Sequence, residues 1–277
     1  MSKVWFITGT GRGIGLEIAK AALAAGDNVV ATGRDPASIR KLLGGEKEYL
    51  LVARHDVTVS EQADQAVDAA IRKFGRIDVL VNNAGYGQLG LFEESSPAEM
   101  ELQFKVNVFG SMATTRAVLP VMRKQRAGRV FTITSIGGLI GAAGSSLYSG
   151  TKFALEGWSE SVAAEVAAFG ICVTAVEPGF FRTDFLDSAS VRFAKGAIPD
   201  YAEHSKSLRE FFEGRSHQQA GDPAKLAKVF LQLTDEVNPP LHFLAGTDAV
   251  GVLQERIKRD EKQLATWAQL SRTTDHD

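Results

Sequence analysis

Short runs rich in Val and Ile alternate with helix-length amphipathic segments along almost the whole chain, and that alternation limits the fold more than any other feature. The strand-like runs fall at residues 4–8, 28–32, 49–53, 79–82, 129–134, 172–177 and 241–244. The helical patterns between them fall at 14–25, 36–43, 61–74, 97–125, 147–169 and 223–235. The runs are near-continuously apolar, which suits strands buried on both faces. Strands separated by helices of this length pair in parallel, with helices covering both faces of the sheet. The expected fold class is α/β: a doubly wound, three-layer α/β/α parallel sheet whose ligand lies beyond the carboxyl ends of the strands.

Several helix starts carry their own signals. Asp35-Pro36 and Asp222-Pro223 each set an N-cap acceptor before a Pro at the first helical position. Ser96-Pro-Ala-Glu99 has the spacing of a reciprocal capping box. No linker, repeat or low-complexity stretch divides the chain, so residues 1–277 are expected to form a single domain. Two segments interrupt the pattern. Residues 180–220 are too long for a plain connection and read as a lid over a ligand. Six of the 16 Phe lie between positions 180 and 212, which suggests an apolar pocket wall or packing of that lid onto the body or a partner subunit. The tail after Gly246 carries a helical pattern near 253–270 and is expected to be a C-terminal helical extension.

Composition narrows the partners. A net charge of −2 leaves no electrostatic footprint for nucleic acid or an anionic membrane surface. No run is apolar for long enough to span a bilayer, and the opening MSKVWFITGTG lacks the features of a signal peptide. Cys172 is the single cysteine, so no intrachain disulfide is possible and a reducing, cytoplasmic location is expected. Histidines 55, 204, 217, 242 and 276 are scattered without ligand spacing, so no metal site is expected.

Two stretches carry chemistry. After the first strand comes Thr8-Gly9-Thr-Gly11-Arg12-Gly13-Ile14-Gly15, where glycines permit close backbone approach and a helix N-terminus offers unpaired N–H groups to a pyrophosphate. The second strand ends Thr32-Gly33-Arg34-Asp35. An acidic side chain there would take the ribose 2′-hydroxyl of NAD, whereas Arg34 accommodates a 2′-phosphate, with Arg12 as a second positive charge. Asp35, before Pro36, reads as a helix cap. The cofactor expected is NADP(H). The second stretch runs from Ser135 to Lys152. Tyr148 and Lys152, four apart on a helix, share one face. An ammonium near a phenol favours the phenolate and is expected to lower a pKa that is ordinarily near 10. Such a pair also occurs by chance; the surrounding motifs give it meaning.

With these pieces in view, the sequence resembles the short-chain dehydrogenase/reductase family over nearly its whole length. The resemblance rests on the glycine turn, Asp56-Val57 after strand three, Asn82-Asn-Ala-Gly85 after strand four, and Asn107 inside the fifth helix. It continues through Ser135, Tyr148-x-x-x-Lys152, and Pro178-Gly179 with Thr183. It implies a Rossmann-type sheet and an oxidoreductase that moves hydride between NADP(H) and a carbonyl or secondary alcohol. Tyr148 would be the general acid/base, Ser135 would orient the carbonyl, and Lys152 would hold the nicotinamide ribose and lower the Tyr148 pKa. Asn107 would anchor a relay water. Thr8, Gly9, Arg12, Gly13, Ile14, Gly15 and Arg34 would face the phosphates. Asp56 and Val57 would contact adenine, while Asn83, Ala84 and Gly85 would line the adenosine side and brace the sheet. Pro178, Gly179 and Thr183 would seat the nicotinamide. The branch resembled, that of steroid and retinol dehydrogenase relatives and many bacterial oxidoreductases, implies a small hydrophobic ketone, aldehyde or alcohol and a homodimer or homotetramer. Two other readings are disfavoured: a nicotinamide-binding sensor without catalysis, which has no need of Asn107, Ser135, Tyr148 and Lys152, and a cofactor-free lyase, which would need a blocked glycine turn and usually an Arg in place of Lys152.

Overall fold

The computed structural model describes residues 2–187 and 190–276; residues 188 and 189 of the expected lid, and the terminal residues 1 and 277, lie outside the described residues. In chain order the elements are β1 (Val4–Thr8), α1 (Gly13–Ala24), β2 (Asn28–Gly33), α2 (Pro36–Leu42), β3 (Leu50–Arg54), α3 (Ser60–Phe74), β4 (Val79–Asn82) and β5 (Gly87–Leu89). Then follow α4 (Pro97–Phe104), α5 (Gly110–Gln125), β6 (Gly128–Ile133), α6 (Ser146–Val166), β7 (Ile171–Pro178) and β8 (Val191–Phe193). The chain closes with α7 (Ala202–Glu213), α8 (Pro223–Asp235), β9 (His242–Ala245) and α9 (Thr247–Arg272).

Seven strands form one parallel sheet in the order β3-β2-β1-β4-β6-β7-β9. The order reverses between β1 and β4, which opens a crevice at their carboxyl ends. Successive β1 side chains feed two cores, as strand periodicity requires. Trp5 and Ile7 join a layer with α1 and α8 in which Phe131 meets Phe230 edge-on at 5.0 Å. Val4 and Phe6 join the opposite layer with Ala70, Val118, Met122 and Val162 of α3, α5 and α6. Each fully buried aromatic or aliphatic side chain of this kind stabilises by about 1.5–3 kcal/mol. The expected N-caps form: Asp35 accepts from Ala37 and Ser38, Asp222 from Ala224 and Lys225, and Ser96 closes its box with Glu99.

The structure corrects three expectations. The helix anticipated at 97–125 is two, α4 and α5, joined by a π-helical turn at Lys105–Phe109. That wider turn accommodates Asn107, whose side chain leaves the helix to pair with neighbouring backbone. The lid carries structure of its own: β8 pairs with β5 in a two-stranded parallel ribbon, and α7 follows it. Strands of three residues have no period to read, so sequence gave no hint of this ribbon. The extension begins earlier than expected, and α9 buries only Ala249 among its 26 residues. No helix among the described residues is long and apolar enough to cross a membrane.

Candidate active site

Construction starts at the crevice between β1 and β4. The Thr8 hydroxyl accepts the N–H groups of Asn83 at 2.9 Å and Ala84 at 3.0 Å, while Asn83 Nδ2 donates to the carbonyls of Thr8 and Gly9 at 2.8 and 3.0 Å. These bonds lock the glycine turn to the end of β4. A Cβ at Gly15 would lie 2.3 Å from Asn83 Nδ2, so no larger residue fits there without moving the brace. Gly9 and Gly13 have φ of 71° and 56°, which glycine adopts at little cost. The first turn of α1 has no side-chain cap and no acidic residue. Its amides and dipole therefore suit an anion, and the residues present fit the pyrophosphate of a dinucleotide.

Arg34 stands exposed at the end of β2, and Asp35 is committed to capping α2. Asp56 Oδ1 accepts from the Thr58 N–H and hydroxyl at 3.0 and 2.8 Å. Those bonds outweigh burial and, with the Arg34 charge, hold the Asp56 carboxyl below its ordinary range. Arg12 lies within electrostatic reach of Asp187 in the lid, whose carboxyl is lowered first by the Ser216 hydroxyl and further by His217 and Arg12. Val57 packs on Gly110 at the head of α5.

At the carboxyl end of β6, Ser135 caps a short 3₁₀ turn and accepts the Gly137 N–H at 3.1 Å. The turn it caps lies against Tyr148 on the first turns of α6, where a Cβ at Gly137 would come within 3.2 Å of the Tyr148 ring, and the Ser135 hydroxyl acts to lower the Tyr148 phenol. Lys152, one turn further, is buried with its Nζ 5.5 Å from the centre of the Tyr148 ring and 2.7 Å from the Ile133 carbonyl, to which it donates. The lowered phenol expected from sequence is not what the chain alone produces. Burial pushes the Tyr148 hydroxyl up to about 12, with only the Ser135 bond opposing it. The same burial brings the Lys152 ammonium down to about 8 against the pull of Glu156. One of the three ammonium donors is given to that backbone carbonyl.

Asn107 sits behind this pair. Its Nδ2 donates to the Tyr86 carbonyl at 3.0 Å and Thr151 Oγ1 at 3.2 Å, and its Oδ1 accepts the Tyr86 N–H at 3.1 Å. A Cβ at Gly85 would lie 3.2 Å from that Oδ1. From the other side, Pro178 ends β7, and the Gly179 N–H donates to Ala245. Thr183 lies against Gly13, so the β7 loop reaches the glycine turn. Sequence-expected residues thus stand at the carboxyl ends of six strands, β1, β2, β3, β4, β6 and β7.

Other residues of the site stand outside the sequence motifs, although Phe185 belongs to the Phe-rich stretch expected to form a pocket wall. Phe185 packs on the Tyr148 ring at 5.8 Å between centres and shapes the apolar side. Glu94 is buried and anchors the lid, accepting from the Ile198 N–H at 3.2 Å and the Ser205 hydroxyl at 2.6 Å. His55 is buried against Thr32, and that burial holds its imidazole near 4, hence neutral. Glu156, four residues after Lys152, could have been found by spacing alone.

A parallel sheet with an anion-ready glycine turn at its switch point and a Ser–Tyr–Lys group beside it defines the class of nucleotide-dependent α/β oxidoreductases. The chain matches the short chain dehydrogenase family model over residues 3–192, and it belongs to that family. Oxidoreductase BOA17 of Botryotinia fuckeliana is 41% identical over 251 residues, covering 90% of this chain and 91% of that relative. The 3-ketodihydrosphingosine reductase of Bacteroides thetaiotaomicron is 36% identical over 244 residues, 88% of each chain. The crystal structure of a short-chain dehydrogenase from Streptomyces avermitilis superposes with a TM-score of 0.91 at 40% identity, covering 100% of both chains. Other solved neighbours hold NADP or NADH.

Proposed function

We propose that this chain is an NADP(H)-dependent oxidoreductase interconverting an apolar ketone or aldehyde and its alcohol. The observation that carries the reading is that the Ser135 turn and Tyr148 stand together beside the buried Lys152 ammonium, 5.5 Å from the Tyr148 ring centre, at the carboxyl end of β6. A nicotinamide cofactor bound there supplies or accepts the hydride. The Thr8–Gly15 turn would hold its pyrophosphate, Arg34 and Arg12 the 2′-phosphate, and Asp56 and Val57 the adenine. Asn83, Ala84 and Gly85 would line the adenosine side, and Pro178, Gly179 and Thr183 the nicotinamide. Lys152 would take the nicotinamide ribose hydroxyls.

Tyr148 gives its phenolic proton to the carbonyl oxygen of the substrate, and the Ser135 hydroxyl orients that oxygen and stabilises its growing charge. A phenol held near 12 keeps its proton until a basic oxygen develops beside it, which suits reduction. In the oxidative direction Lys152 must bring the phenol down. Proton exchange with solvent would pass Lys152 by a water resting against the Asn107 turn. The Asn107 side chain, committed to Tyr86 and Thr151, fixes that wall. Phe185 beside Tyr148 supports an apolar substrate. The Bacteroides relative is, by its name, a ketone reductase.

On the same reading residues 1–277 form one domain, placed in the cytoplasm. The exposed Phe109 and Phe153 on the π-turn before α5 and on α6 would be covered in a homodimer or homotetramer. The decisive experiment is Tyr148→Phe. NADPH binding should persist while turnover over a ketone panel falls about 10²–10⁴-fold, the range of general acid–base catalysis. Unchanged turnover in that variant removes the assignment. NADPH binding by the unaltered chain, with no oxidation on any ketone of the panel, favours the sensor reading.

A further inference from the structure

The scattered histidines show no ligand spacing in the sequence, yet the fold gathers one of them with two acids from other elements. His242 opens the edge strand β9, in register with Ala175 of β7. Its Nδ1 faces Glu177 Oε1 of β7 at 2.9 Å and Glu156 Oε2 of α6 at 3.2 Å. Its Nε2 faces Glu160 Oε1 at 3.3 Å. Glu177 and Glu156 are only 1% and 7% exposed, and both oxygens of Glu156 and Oε2 of Glu177 are buried without a hydrogen-bond partner.

We infer that Glu156, Glu177 and His242 form a binding site for a divalent transition-metal ion of the zinc class. The imidazole geometry leads there. Nδ1 lies within hydrogen-bond distance of Glu177 Oε1 at 2.9 Å and 3.2 Å from Glu156 Oε2, so the three atoms converge on a point where either the Nδ1 proton or, once that proton has left, a metal ion can sit. A ligating imidazole whose other N–H is held by a carboxylate is the usual outer-shell arrangement of zinc sites. Ligands bound at about 2.0–2.2 Å stand about 3–3.5 Å apart around a four-coordinate ion. The Nδ1 separations of 2.9 and 3.2 Å fall just below and within that range, so small adjustments admit the ion. One nitrogen and two carboxylate donors suit zinc better than calcium or magnesium, which prefer oxygen alone. The half-exposed edge of His242 leaves room for water as a fourth ligand. Three carboxylates, counting Glu160, surround one imidazole, and Lys152 and Arg256 stand further off. Such an ion would tie β9 to α6 and β7, one turn along from Lys152.

The test uses the full-length chain stripped with chelator and titrated with Zn²⁺ by calorimetry and with Co²⁺ by visible absorption. Expected are one ion per chain, the d–d bands of a four-coordinate nitrogen–oxygen site, and a raised melting temperature. His242→Gln and Glu177→Gln should each weaken binding at least about tenfold. Glu160→Gln, acting through the ring, should weaken it less. His217→Gln should leave binding unchanged, which guards against the exposed Asp184, Asp187 and His217 group as the true ligand set. No binding in the micromolar range, or binding retained in His242→Gln, overturns the inference and leaves a shared proton holding the cluster. Should His242→Gln fail to fold, the Co²⁺ spectrum of the unaltered chain decides alone. Neither result bears on the oxidoreductase reading.

Discussion

The two walls of the crevice are built on different principles. The glycine-turn wall is held by bonds among β1, β4 and α1, whose motifs can be read contiguously in the chain, and its backbone leaves no slack at Gly15. The lid wall is held by partners about a hundred residues apart, Glu94 with Ser205 and Ile198, and by a two-stranded ribbon. A wall that meets an invariant pyrophosphate can be rigid. A wall that meets the variable part of a substrate gains from a few replaceable anchors.

The contrast can be broken most forcefully at Gly15. Gly15→Ala should lower NADPH affinity by more than about a hundredfold and cost about 1–3 kcal/mol of stability, because the new methyl must displace the Asn83 brace. Isothermal titration and thermal melting measure both, and a tolerated alanine would refute the rigid-wall account. Arg34→Ala should weaken NADPH about tenfold, the scale of one charge-assisted bond, and NADH much less. Equal losses for both cofactors would show that Arg34 reads something other than a 2′-phosphate. On the lid side, Glu94→Gln keeps one acceptor where two donors need one each. KM for a bulky ketone should rise several-fold and proteolysis near 195–215 should quicken, with NADPH binding unchanged; altered NADPH binding would mean the walls are mechanically one.

The smallest effect is a slope with pH. Glu156 titrates near 7 in the folded chain, pushed up chiefly by burial, and near 4.5 when unfolded. Between those values the folded chain holds a proton that the unfolded chain releases, so stability falls as pH rises from about 4.5 to 7. In metal-free protein, Glu156→Gln should flatten that part of the melting-temperature profile. An unchanged slope would place the titrating proton elsewhere.

Legibility followed the same divide. The seven sheet strands and the caps at Asp35, Ser96 and Asp222 could be read because local pattern and spacing encode them, whereas the Ser135–Tyr148–Lys152 grouping came from the family resemblance. The β5–β8 ribbon, the π-turn at Asn107 and the Glu94 anchor could not, since each depends on a tertiary partner with no local signature. The Tyr148 pKa rises instead of falling for a related reason: spacing places an ammonium near a phenol, but only the fold shows that burial dominates, while Ile133 accepts one of the ammonium's three donors.

Asp248, in the first turn of α9, accepts the Phe180 N–H at 2.7 Å, and a Cβ at Gly179 would collide with its carboxylate at 2.1 Å. The root of a helix about 39 Å long, at 1.5 Å per residue, is thereby fastened to the loop after β7. Its far end, where Trp267 and Leu270 stand in solvent, is a handle on that loop. A bulky fusion or immobilising surface attached there would exert leverage on the floor of the crevice, whereas the same cargo at the opposite terminus would not.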